Sequence, residues 1–255
     1  MERQRDASAA DQDVGRESRS SIKGMLRRAA LTATFLAASA ALTARAQDIR
    51  SAHIEDTYAN MYLSTFGSRA SGGAVNQVEA GVGADDGTYA FIWLNYDTKW
   101  GVTEIDYSYM LNRGISKGAS AGVGVQAFTF PGGKVYDRAV YCLTVEATGP
   151  IGPINGDATV WHLLNGKQGI KGNFVNLVLS KDMGLGEVLG NRLAVTPSLK
   201  VAGGSEFLGF DQGVLYLAPG VGVSIGNVTL STRFQEGIGQ VKDEVYVGVT
   251  VGFDR

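Results

Sequence analysis

The chain has 255 residues, 44% hydrophobic and only 19% charged, with 35 glycines, five prolines and a single cysteine. The charged share lies below the roughly 25% usual for soluble domains, and a formal net charge of −2 excludes a strongly basic nucleic-acid binder. Cys142 alone makes no internal disulfide, and after the first 46 residues no run of 18 consecutive apolar residues occurs, so any membrane crossing would be by strands.

Residues 1–24 are polar and aperiodic and read as a disordered leader or start-site extension. Met25 to Arg28 is a short basic start, and "AALTATFLAASAAL" (29–42) follows without a charge. Ala44-Arg45-Ala46 supplies small residues at an A-x-A spacing. Residues 25–46 therefore read as a secretory signal peptide cleaved before Gln47, with an apolar run too short to span a bilayer as a helix. Residues 1–46 hold 8 of the Lys and Arg and 5 of the Asp and Glu, which leaves 15 against 20 in residues 47–255, a net charge near −5.

From there the chain alternates at a period of two, the signature of a strand with one apolar and one small or polar face. Twelve segments carry it in order: "YANMYLSTF" (58–66), "GAVNQVEAGVG" (73–83), "TYAFIWLNY" (88–96), "VTEIDYSYML" (102–111), "ASAGVGVQAF" (119–128), "DRAVYCLTVEA" (137–147), "DATVWHLL" (157–164), "NFVNLVLS" (173–180), "RLAVTPSLKVA" (192–202), "VLYLAPGVGVSI" (214–225), "NVTLSTRFQE" (227–236) and "EVYVGVTVGF" (244–253). Turn signals such as "DDG", "NRG", "PGG" and "KQGIKG" separate them. Pro197 and Pro219 fall inside two of these segments. Each removes a ladder hydrogen bond, and a bulge shared by neighbouring strands would accommodate both.

The non-apolar face is rich in Gly, Ser, Thr and Ala, which suits the crowded inside of a closed sheet better than the charged outer face of a soluble sandwich. The other face is aliphatic, and Tyr89, Tyr96, Trp100, Tyr136 and Trp161 near segment ends resemble an aromatic girdle. The expected fold is an all-β, up-and-down antiparallel transmembrane barrel of about 12 strands over residues 47–255, in a bacterial outer membrane. Charges on the lipid side cost about 2–4 kcal/mol near the midplane, so the polar alternates are expected to face the lumen: Gln77, Glu79, Asn95, Glu104, Asp106, Arg138, Glu146, Lys200, Arg233 and Gln235. Glu79, Glu104 and Asp106 would form an acidic wall, and Arg138, Lys200 and Arg233 a basic wall facing it. The alternative is a filled structural barrel in which these groups form salt bridges.

Loop lengths conflict with the usual pattern of short periplasmic turns and longer outer loops. "PGGK" (131–134) would be an outer loop and the longer "GPIGPING" (149–156) an inner one. The connections look too short to fold into the lumen as a constriction.

Acidic residues on an early segment ("VEAG") and a later one ("TEIDYSY"), with this length and strand number, resemble the Tsx-like family of outer-membrane nucleoside channels over about Tyr58 to Phe253. Phe253 resembles the strand-terminal aromatic of bacterial outer-membrane barrels, although here Asp254 and Arg255 follow it. The resemblance implies passive uptake of nucleosides or similar small polar solutes, with Tyr62, Phe91, Trp93 and Tyr216 as stacking candidates beside the polar lumenal groups. Outer-membrane lipid and small polar solutes are the partners expected. An enzyme is not expected: His53 precedes the first segment, and His162 in "TVWHLL" lacks the adjacent Ser-Asn pattern of barrel phospholipases. With no nucleophile–base pair and no metal-ligand cluster near Cys142, the expectation is no catalytic residue, metal or cofactor.

Overall fold

A computed structural model describes residues 49–63, 71–131, 139–164, 172–205, 213–239 and 241–254. Residues 1–48, with the leader and signal-peptide readings, lie outside them, as do Arg138 and Tyr136. The described chain is all strand and turn: β1 (Ile49–Ala59), β2 (Val75–Ala84), β3 (Thr88–Asp97), β4 (Gly101–Ser116), β5 (Ala119–Thr129), β6 (Val140–Ile151), β7 (Ile154–Leu163), β8 (Asn173–Ser180), β9 (Met183–Val188), β10 (Asn191–Ser205), β11 (Gly213–Ile225), β12 (Val228–Gly237) and β13 (Glu244–Asp254).

Every pairing is antiparallel between neighbours, and β13 pairs back onto β1 with Tyr58 opposite Val249 and Ala59 opposite Gly248. β8 pairs with β10, and β10 with β11. Twelve strands therefore close a ring and leave no open edge within the wall. The thirteenth, β9, continues the line of β8 beyond a break at Lys181-Asp182 and pairs with the first residues of β10 as a projecting hairpin.

The first strand is corrected by the structure. It runs from Ile49 to Ala59, not over 58–66, because "SAHIEDTYA" alternates less visibly than the apolar run that follows it. His53 therefore lies within the barrel wall rather than before it. The loop-length conflict disappears as well. "GPIGPING" is no loop, because β6 and β7 run through it, Gly149 opposite Gly156 and Ile151 opposite Ile154. Its connection is only 152–153, with Gly152 in the left-handed region (φ 62°) that a two-residue hairpin requires. At the same rim, 85–87, 117–118 and 226–227 are only two or three residues long, while the strand ends that flank the longer connections, after β1, β5, β7, β10 and β12, lie at the opposite rim. The short turns mark the periplasmic end.

The two prolines need no shared bulge. The β10–β11 register is continuous from Leu193 to Ala202. Pro197 accepts a hydrogen bond from Lys181 N (3.2 Å), so its nitrogen also points toward β8–β9, at the break between them. Pro219 falls in a gap of the β11–β12 ladder between Leu217–Glu236 and Gly220–Arg233. Each proline stands where a ladder donor is not used.

The outer wall carries Val245, Val247, Val249 and Phe253, with Leu230, Phe234, Val221 and Val223 beside them, all exposed. A surface this apolar on a closed barrel is a lipid-facing wall. Of the expected girdle, Tyr96 and Trp100 are exposed at the outer rim. Tyr89 and Trp161 instead turn inward, where Tyr89 meets His53 and Trp161 donates to Gln126. Asp56 breaks the outward pattern. Asp56 faces outward opposite Val78 and Val251 and accepts a hydrogen bond from Asn76 Nδ2 (2.6 Å).

Candidate solute site in the lumen

Cross-strand pairing puts one inward rung across β1 to β5: Glu55 opposite Glu79, Glu79 opposite Trp93, Trp93 opposite Asp106, Asp106 opposite Phe128. Partners on a rung stand about 5 Å apart at Cβ, so three carboxylates share this arc with Trp93 between two of them. Like charges directly opposite destabilise a sheet pair, and Glu79 is offset by His53, whose Nε2 lies 2.7 Å from Glu79 Oε1. The Tyr89 hydroxyl contacts the same imidazole (3.1 Å to Nδ1), and the two rings stack at 5.7 Å. Gly81 makes room for this pair, since a Cβ there would collide with His53 and the Tyr89 hydroxyl.

One rung toward the outer rim the lining is uncharged until β4. Thr57 Oγ1 and Thr250 Oγ1 are 2.7 Å apart, Gln77 Nε2 donates to Asn95 Oδ1 (3.2 Å), and Asn95 Nδ2 donates to Thr103 Oγ1 (2.6 Å). Glu104, opposite Asn95, is 2% exposed. It is hydrogen-bonded by Tyr62 and in contact with Asp106.

The first residues after β1, 60–63, do fold inward, contrary to the sequence expectation. Met61 and Tyr62 are buried, and the Tyr62 ring packs on Trp93 at 5.3 Å between centres. Asp97, at the start of the outer β3–β4 turn, holds this connection in place. Its carboxylate accepts from Gly72 N (2.7 Å), Gly73 N (3.2 Å), Lys99 N (2.6 Å) and Trp100 N (2.7 Å). An in-folded segment is hidden from a period-two reading, because its apolar residues look like one more strand.

These elements bound a cavity of about 420 Å³, reached by Glu55, Gln77, Glu79, Phe91, Trp93 and Asp106 on β1–β4, by Tyr62 from the connection, by Gln126, Phe128 and Trp161, and by Arg233 and Tyr246 on the far side. Of the sequence candidates, Gln77, Glu79, Asp106, Arg233, Tyr62, Phe91 and Trp93 meet there. Asn95 and Glu104 lie just behind its wall, buried. Glu146 faces inward lower down, opposite Thr159. Gln235 is buried and donates to Lys242 O (3.2 Å). Arg138 falls outside the described residues.

Tyr216 departs from its expected role. It is 1% exposed within an apolar cluster with Phe128, Phe174, Trp161, Cys142 and Leu215, and Lys200 Nζ sits 5.5 Å from its ring centre. Neither reaches the cavity. Sequence reasoning missed Glu55, His53 and Tyr246, the first two because the first strand was placed too late. Arg233 lies 5.9 Å from the Tyr246 ring centre. Four inward polar atoms, Glu104 Oε2, Asp106 Oδ1, Ser108 Oγ and Asn176 Oδ1, are buried without a protein partner.

His162 is on the outer face near the rim, with Nδ1 2.9 Å from Asn173 Oδ1. Ser205 accepts from Asn173 N (3.3 Å) and so stands beyond Asn173, not at the other imidazole nitrogen where a nucleophile would be needed. Among the described residues no group of three potential metal ligands occurs.

No family model matches the chain, and no curated protein matches it. Solved structures do. The KdgM porin in complex with disordered oligogalacturonate matches at 9% identity over 80% of this chain and 99% of that one, TM-score 0.49. A bacterial polysaccharide outer membrane secretin matches at 12% over 80% and 97%, TM-score 0.49. The NanC porin matches at 9% over 79% and 98%, TM-score 0.47. The class of the protein follows from its own wall: a closed antiparallel barrel with an aliphatic outer face is a bacterial outer-membrane β-barrel.

Proposed function

We propose that the barrel is a channel for passive diffusion of small polar solutes across the outer membrane, narrowed where Tyr62 and Leu63 enter the lumen. The observation that carries this reading is the lumenal cavity of about 420 Å³, bordered by polar groups of Glu55, Gln77, Glu79 and Arg233.

The filled-barrel reading draws support from the apolar cluster of Phe128, Trp161, Phe174 and Tyr216, which occupies one side of the lumen. Nucleosides are a finer version of the channel reading. Phe91 and Trp93 offer ring faces to the cavity, although Tyr62 already packs on Trp93. A lipid hydrolase is the reading the site supports least, since His162 has an orienting Asn but Ser205 is on the wrong side of it.

Planar-bilayer recording of refolded residues 47–255 tests the proposal. Steady unit conductance is expected, with adenosine reducing it if nucleosides are carried. Silence from a folded, heat-modifiable sample would favour the filled barrel.

A further inference from the structure

The lipid-facing wall contains a carboxyl that lipid does not satisfy. Asp56 is exposed on the outer face, with Val78 and Val251 as its cross-strand neighbours. The outward residues on either side of it along β1, Ile54 and Tyr58, are 55% and 57% exposed. Asp56 thus has apolar neighbours on all four sides, and its side chain is too short to reach past them to water as a lysine would. Ionisable groups at membrane depth are rare, and those that occur face protein or water rather than acyl chains. Among the described residues the hydrogen-bond partner of Asp56 is Asn76, whose Nδ2 donates at 2.6 Å. Asn76 also faces outward, opposite Tyr58 and Tyr96. On the far side of the ring the facing pair Val160 and Val175 on β7 and β8 is aliphatic, as a wall that meets only lipid should be.

We propose that the β1–β2 face of the wall is the contact between two copies of this barrel, side by side in the membrane, with Asn76 of each copy donating to Asp56 of the other. The pair is self-complementary. An asparagine amide nitrogen carries two N–H groups and a carboxyl oxygen accepts more than one, so the bond within one copy leaves both residues capacity for a second. Donor and acceptor are 2.6 Å apart and so lie at nearly one depth. A twofold axis along the membrane normal keeps depth unchanged and sets each group against its complement in the other copy. Acyl chains supply neither a donor nor an acceptor. The next rung toward the periplasm fits the same contact: Ala80 lies between Ile54 and Ile92, a notch between two exposed ridges. Small residues at such a seam let two walls approach closely. The contact does not depend on whether the lumen conducts.

The test is photobleaching step counting of refolded residues 47–255, one dye per chain, in vesicles over a range of lipid dilution. Two-step spots should dominate until the barrel is highly diluted. Asp56→Leu should need about tenfold or more protein per lipid to reach the same dimer fraction, the change expected when hydrogen bonds to a carboxylate are lost. Oxidative crosslinking locates the contact. Val78→Cys, directly opposite Asp56, should join two copies, whereas Val175→Cys on the far side of the ring should not. The native Cys142 is buried and does not compete. Single-step spots at every dilution, an unchanged dimer fraction in Asp56→Leu, or equal crosslinking through both cysteines would each overturn the contact. Should Asp56→Leu not refold, the two cysteine variants decide, since both leave Asp56 and Asn76 in place.

Discussion

The arc from β1 to β4 and the arc from β5 to β11 bound the same lumen, yet their inward side chains do different things. On the first, Glu55, Gln77, Glu79, Trp93 and Asp106 turn toward a cavity. On the second, Cys142, Phe174, Ala202 and Tyr216 turn toward one another, and Phe128 and Trp161 belong to the same cluster while also bordering the cavity. Both arcs alternate with the same period and show the same aliphatic wall to lipid. Alternation thus reports which way a side chain points, not what it meets there. A barrel interior can pack as a core along one side and leave a cavity along the other.

The largest expected difference is in stability. Phe174 is fully buried and packs on Trp161 with ring centres 5.9 Å apart. Phe174→Ala should cost about 3–5 kcal/mol, transfer plus cavity. Trp93→Ala, whose ring borders an existing cavity, should cost about 1–2 kcal/mol. Urea unfolding in lipid vesicles measures both, and equal losses would mean the two arcs are packed alike.

The wall gives the next contrast. Val249→Arg places a cation against lipid, at about 2–4 kcal/mol if near the midplane. Its neighbour Thr250 faces inward and shares a 2.7 Å contact with Thr57 Oγ1, so Thr250→Arg should lose about 1 kcal/mol, one hydrogen bond. Comparable losses from both would refute the assigned facing of β13.

The facing of most residues was legible in the sequence because a closed sheet makes period two strict. Eleven of the twelve ring strands fall on segments that alternation marks out. The first was placed late because β1 carries Glu55, Asp56 and His53 in a run too polar to stand out, while Met61-Tyr62-Leu63 just after it is apolar for a different reason: it packs inside the barrel. That one shift hid His53 and Glu55. Tyr216 was legible as inward but not as buried, since its surroundings come from Phe174 on β8 and Phe128 on β5, and nothing local in the sequence announces such neighbours.

A third, smaller effect concerns the segment that Asp97 holds beside the cavity. Asp97 accepts four backbone N–H groups, two of them from Gly72 and Gly73. Asp97→Asn turns half of that acceptor into a donor facing donors and should cost about 1–3 kcal/mol. Because Tyr62 on the same connection borders the cavity, open-channel current noise should rise as well. A quiet current with unchanged stability would show that the connection is held by other contacts.

The smallest effect concerns ion selectivity, and it reads the two sides of the cavity with opposite signs. Removing the charge at Glu79 (Glu79→Gln) takes one anion from the acidic side of the cavity, opposite Arg233. A unit charge about 10 Å from the ion path in water contributes about 0.4 kcal/mol, so this variant should shift the permeability ratio about twofold toward anions. Arg233→Gln removes the one cation among the described lining residues and should shift it about twofold the other way. Reversal potentials in a salt gradient measure both. The gradient is best run twice, because exposed charges are screened over about 10 Å at 0.1 M and about 3 Å at 1 M. If the rung of carboxylates borders the conducting path itself, the shift should persist at 1 M, since too little water intervenes to screen it. Shifts of the same sign from both variants would mean that the ion path does not run between the acidic arc and Arg233.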